Sequence, residues 1–253
     1  MFDSLGTLFP TFSMALVMVV ATILGATMRA FSGFGSGLLL APVFSLYLEP
    51  TEVVAIVVLL NYLSTFQMLP EVWKHIDWPL IRRMVPAVLA GVPFGWLVLN
   101  WLDPMLVRRL VAGIVVVLSL VLLSGWVYQG ARGKVQDAIA GVTSGVLTAI
   151  AGIGGLPFVL YMLSAKGYSP VAFRTFFTVV FLSSQTLALI LIFVSGDFGM
   201  RQAAYIGVLL PIYLLATGLG SYLFARALKR QANQIKRISL ILLLVVGVIT
   251  LVV

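Results

Sequence analysis

Apolar residues run along this chain in long unbroken blocks, and polar residues collect between the blocks in short clusters. The blocks cover roughly residues 11–29, 31–48, 51–69, 79–100 and 105–127 in the first half. In the second half they cover roughly 135–151, 153–165, 170–195, 202–226 and 235–253. Runs such as 11–28, 53–67, 110–123 and 238–253 are long enough, or nearly so, to cross a hydrocarbon core that needs about 20 helical residues. They are continuous rather than alternating, which is not the pattern of a membrane β-barrel. The pattern predicts an all-α polytopic membrane protein without a soluble domain, because the longest polar interval is about ten residues.

The second half repeats the landmarks of the first in the same order. GFGSG at Gly33–Gly37 returns as GIGG at Gly152–Gly155, and a proline follows each, Pro42 or Pro157. The separation is 119 for Gly33 to Gly152, Gly35 to Gly154, Ser64 to Ser183 and Thr65 to Ser184. It is 118 for Gln67 to Gln185 and 120 for Pro50 to Pro170, then grows to 125 for Gly95 to Gly220, as small loop insertions would produce. We therefore expect two transmembrane repeats, 1–130 and 131–253, each opened by a glycine-broken helical hairpin. Five segments per repeat is an odd number, so the second repeat enters the membrane inverted. The parity is the same whether the segments of each hairpin span fully or re-enter. Paired interruptions of this kind point to the substrate site of a transporter.

Composition reinforces the membrane assignment: 61% of residues are hydrophobic, 9% are charged and the mean hydropathy is +1.13. The absence of cysteine excludes disulfides and thiolate chemistry. The net charge of +8 would suggest nucleic acid in a soluble protein. Here it reads as the basic excess of cytoplasmic loops, with the lipid bilayer as partner and no nucleic acid expected. With alternating sides, one face collects Arg29, Lys74, Arg82, Arg83, Arg132, Lys134, Lys166, Arg174, Arg226, Lys229, Arg230, Lys236 and Arg237. The other collects Arg108, Arg109 and Arg201. The positive-inside rule puts the first set in the cytoplasm of a cell whose inner membrane holds the protein, with both termini outside. The first residues carry an aspartate and no basic region, so a cleaved signal peptide is not expected. Gly91-x-x-x-Gly95, Gly141-x-x-x-Gly145 and Ala216-x-x-x-Gly220 read as close-packing faces. Trp73, Trp78, Trp101, Trp126 and Tyr128 read as interfacial anchors.

Three groups of residues could carry chemistry. The glycine breaks, Gly33, Gly35, Ser36 and Gly37 with Gly152, Gly154 and Gly155, precede the second segment of each hairpin. Helix N-termini exposed there would favour an anion, although the same glycines would serve tight packing alone. Arg29 and Arg174 lie within apolar segments, where a guanidinium can hold an oxyanion through two hydrogen bonds or instead snorkel to the headgroups. The third segments carry Asn61, Ser64, Thr65 and Gln67, and then Thr178, Ser183, Ser184 and Gln185, partly on one helical face. These could complete an anion's hydrogen-bond shell or join helices to one another. No catalytic residue, metal site or cofactor is expected. The one histidine, His75, sits in the charged stretch EVWKHIDWP, and HExxH and GxSxG are absent. All eight acidic residues lie at or near segment ends, which offers no buried carboxylate relay.

With GFGSGLLLAP and GIGGLPFVL, each followed by a loop with Pro50 or Pro170 and then a polar-striped helix, the chain resembles the sulfite exporter TauE/SafE family of membrane permeases. The likeness spans essentially the whole length; Leu156 stands where a fuller glycine run would have a third glycine. The resemblance implies transport of small sulfur-containing anions, such as sulfite or sulfoacetate-like organosulfonates. The expected function is a permease working by alternating access around a midplane anion site, with export favoured. A passive anion channel, a proton-coupled importer of organosulfonates and a membrane scaffold are the alternatives, and the sequence leaves the oligomeric state open.

Overall fold

The computed structural model describes residues 8–124, 133–163 and 169–230, and among these no strand occurs. In the first half, α1 is Phe12–Ser32, α2 Ser36–Ser45, α3 Pro50–Val72, α4 Trp78–Trp101 and α5 Pro104–Leu123. In the second, α6 is Lys134–Ala151, α7 Gly155–Leu163, α8 Pro170–Ser195 and α9 Met200–Arg230. A short 3₁₀ turn, Trp73–His75, extends α3. Helices α1, α3, α4, α8 and α9 are long and apolar enough to cross a membrane. The expected span 235–253 lies outside the described residues, as do Trp126, Tyr128, Arg132, Lys166, Lys236 and Arg237.

Local chemistry sets the helix ends. The Thr11 hydroxyl caps α1 by accepting from the Met14 amide, and Ser169 does the same for α8 from Ala172. Pro50 and Pro170 occupy the first turns of α3 and α8, where the missing N–H costs nothing. Gly33 and Gly152 end α1 and α6 in the left-handed region, at φ of 81° and 69°, which a side chain would resist. The expected block 31–48 is therefore not one segment. It splits at Gly33–Gly35, and Pro42 lies inside α2 rather than ending it.

Helix α2 has 10 residues, hence about 15 Å of rise against a core of about 30 Å, and the described part of α7 has 9. Each returns from a break inside the molecule. Where α2 begins, a Cβ on Gly37 would lie 2.2 Å from the Gly152 carbonyl oxygen, so the two breaks pack directly against each other.

The small-residue faces meet as seams between the halves. A Cβ on Gly91 or Gly95 of α4 would strike the carbonyl oxygens of Val142 or Val146 of α6, and one on Gly145 would strike that of Val88. Gly220 of α9 similarly meets Ala30 and Thr27 of α1. Thus the fourth helix of each half lies beside the first helix of the other, while α3 and α8 pack together at the centre. Trp73, Trp78 and Trp101 are exposed at helix ends. One end of the molecule carries Lys74, Arg82, Arg83, Lys134 and Arg226; the other carries the ion pairs Arg108–Glu49 and Arg201–Glu52. One acidic residue departs from the sequence reading. Asp137, in the first turn of α6, is only 7% exposed, and its carboxylate accepts a hydrogen bond from Tyr161.

Candidate functional site

Arg29 does not snorkel. It is 1% exposed, near the C-terminus of α1, and turned toward the middle of α3. Its Nη2 donates to Thr65 Oγ1 at 2.6 Å and to the Asn61 carbonyl at 3.2 Å. Its Nε has no hydrogen-bond partner among the described residues. The guanidinium carbon stands 5.6 Å from the centre of the Phe181 ring on α8, a cation–π arrangement.

Asn61 connects this cation to the first glycine break. Its Oδ1 accepts from Ser36 Oγ at 2.6 Å and from the Tyr213 hydroxyl at 2.5 Å. Its backbone carbonyl accepts from Ser64 and Thr65 hydroxyls at 2.9 and 2.8 Å. Ser36 is the first residue of α2, which Gly35 precedes at φ 100° with no side-chain cap, so the helix's first amides carry their partial positive charge into this region. All of these polar side chains are buried, and they come from α1, α2, α3 and α9.

Electrostatics distinguishes Arg29. The ion pairs among the described residues involve Arg108, Arg174 and Arg201, and none involves Arg29. A guanidinium stays protonated in proteins, and an unpaired buried charge costs several kcal/mol. Gln185 is one helical turn beyond Phe181 on α8; it is buried, and its Oε1 has no hydrogen-bond partner among the described residues.

Arg174 belongs to a different group. Its Nη1 is 2.6 Å from Glu71 Oε2, its Nη2 donates to Ser221 Oγ at 2.7 Å, and its guanidinium lies 4.8 Å from the Phe224 ring centre. The other expected site residues scatter. Thr178 is buried but bonds the Arg174 carbonyl, while Ser183 and Ser184 bond carbonyls within α8. Gln67 lies on an exposed part of α3, its side chain near Gly218 of α9, away from Asn61. Gly33 packs on the Arg174 backbone, Gly152 on Val57, Gly154 on Ser144 and Thr148, and Gly155 on Phe34, so packing accounts for these four glycines. Tyr213, Glu71 and Ser221 were not singled out in the sequence. The available signal for Tyr213 was a hydroxyl two residues after Pro211 in an otherwise apolar stretch of α9.

The sulfite exporter TauE/SafE family profile matches residues 17–250. The chain belongs to the sulfite exporter TauE/SafE family. It is similar to the probable sulfite/organosulfonate exporter TauE of Cupriavidus necator, at 27% identity over 210 residues covering 78% of each chain. No solved structure matches it. Membership of an exporter family agrees with the helical, membrane-crossing architecture and makes the protein a membrane transporter.

Proposed function

We propose that this TauE/SafE family transporter carries a small sulfur oxyanion or organosulfonate through a central site formed by Arg29, Ser36, Asn61, Thr65 and Tyr213. The observation that carries this reading is the buried guanidinium of Arg29, which has hydrogen-bonding capacity to spare and no carboxylate partner among the described residues. A sulfite or sulfonate group offers several acceptor oxygens to Nε and to the amides at the start of α2. The substrate class follows the name of the C. necator relative, a probable sulfite/organosulfonate exporter. Phe181, and the tilted ring pair Phe34 and Phe177 beside the first break, supply apolar walls against which a short organic substituent could rest.

Two inverted repeats and alternating access are part of the same proposal. Supporting them are the short half-helix α2, the start of α7 at the matching second break, the direct contact of the two breaks, and the reciprocal seams α4–α6 and α9–α1. The near-complete burial of Arg29 suits a carrier held closed at both ends better than an open pore. On this reading the basic end faces the cytoplasm. A monovalent anion leaving a cytoplasm-negative cell then gains about 2.3 kcal/mol per 100 mV, so export needs no coupling ion.

Counterflow in reconstituted vesicles tests the function. Saturable uptake of radiolabelled sulfite, accelerated by unlabelled sulfite on the far side, is the expected result. Flux that rises linearly with concentration and shows no counterflow would indicate a channel and contradict the carrier.

A further inference from the structure

Arg174 and Glu71 form an ion pair of unequal partners. The arginine side chain is 4% exposed, fixed by Ser221 and the Phe224 ring, whereas the glutamate side chain is 49% exposed. In the Arg201–Glu52 pair this asymmetry is reversed, and in Arg108–Glu49 both partners are partly exposed. Among the described residues only one oxygen of Glu71 bonds, to Nη1 alone, although a guanidinium can grip an oxyanion through two nitrogens. Arg174 Nε has no hydrogen-bond partner among the described residues. The cation is therefore held in place with donor capacity unused, while its carboxylate is free to swing toward solvent.

The position is equally specific. Arg174 and Phe181 lie seven residues apart on α8, about 10 Å along the axis, and Phe181 underlies Arg29. Gly33, four residues after Arg29, rests against the Arg174 backbone, where a Cβ would be 2.8 Å from the carbonyl oxygen. The two buried guanidinium groups thus follow one another along α8, from the basic end inward.

We infer that Arg174 is a second anion station on the transport path, and that the Glu71 carboxylate is a tethered occupant which the substrate anion displaces before reaching Arg29. This rests on the central site proposed above. An anion drawn to the basic end exchanges with Glu71 on Arg174, and Glu71 re-forms its bond once the anion has moved inward. The exchange replaces one carboxylate by one oxyanion, so Arg174 is not left unpaired.

Sulfite flux in vesicles of defined protein orientation tests this, with KM measured separately from the basic and the opposite end. Glu71→Gln removes the competitor and should lower the basic-end KM by about two- to fivefold, leaving the opposite-end KM unchanged. Ser221→Ala, which keeps the ion pair but removes a hydrogen bond that fixes the station, should raise the basic-end KM. A purely structural tie would instead lower thermal stability in both variants and leave the sidedness of KM as in the parent. An unchanged or raised basic-end KM in Glu71→Gln overturns the station. If Arg29→Gln also abolishes flux, the central site stands and the station alone fails; if Arg29→Gln transports normally, the central site itself is wrong.

Discussion

Gly37 of α2 rests on the carbonyl of Gly152: the first turn of the returning half-helix in one hairpin touches the break of the other. Hydrogen is the only side chain this distance admits, because the opposing atom is backbone oxygen and cannot swing aside. The contact ties the two breaks into one unit, next to the Ser36–Asn61 hydrogen bond that connects α2 to the candidate site.

Gly37→Ala should therefore destabilise the protein by about 1–3 kcal/mol, the usual cost of overpacking a tight contact. Thermal unfolding in detergent, monitored by far-ultraviolet circular dichroism, measures it. Gly207→Ala is the control: a Cβ there meets open space, and helix propensity favours alanine by up to about 1 kcal/mol. Equal stability of the two variants would remove the claim that the breaks are packed together.

Tyr213→Phe deletes one of the two hydrogen bonds to Asn61 Oδ1 while keeping the ring. A net loss of about 1 kcal/mol in stability is expected, with a raised KM for sulfite because Asn61 is less firmly oriented. A variant with parental KM would show that Tyr213 serves packing only.

Asp137 is the carboxylate to watch for proton coupling, since it is buried and bonded to Tyr161 in the second hairpin. On the export reading, the membrane potential alone drives flux and this carboxylate is not needed. Asp137→Asn should keep parental sulfite flux under an imposed potential while losing about 1–3 kcal/mol of stability. If instead the parent responds to a proton gradient and the variant no longer does, coupled transport replaces the export reading.

How much of this was legible in the sequence follows from the kind of force involved. Helix α2 could be anticipated because Gly33 and Gly35 adopt positive φ, a local demand that glycine advertises. The seams could be anticipated too, since Gly91, Gly95, Gly141 and Gly145 permit backbone approach wherever their partners come from. The site was only half legible. Arg29 and Asn61 stand out as polar residues in apolar runs, but nothing along the chain says that, among the described residues, Arg174 has a carboxylate partner and Arg29 has none. That distinction depends on Glu71, 103 positions from Arg174, and on Tyr213, 152 from Asn61. Gln67 belongs to the same polar stripe as Asn61, yet six residues amount to about 600° of rotation and place the two on different faces of α3.

The central claim is that Arg29 holds the transported anion. Calorimetric titration of the purified protein with sulfite, beside Arg29→Gln at matched thermal stability, tests it most directly. Losing a charged hydrogen-bond partner of about 1.5–3 kcal/mol should weaken sulfite binding by about 10- to 150-fold. If Arg29→Gln binds sulfite as tightly as the parent, the anion sits elsewhere and the account is wrong.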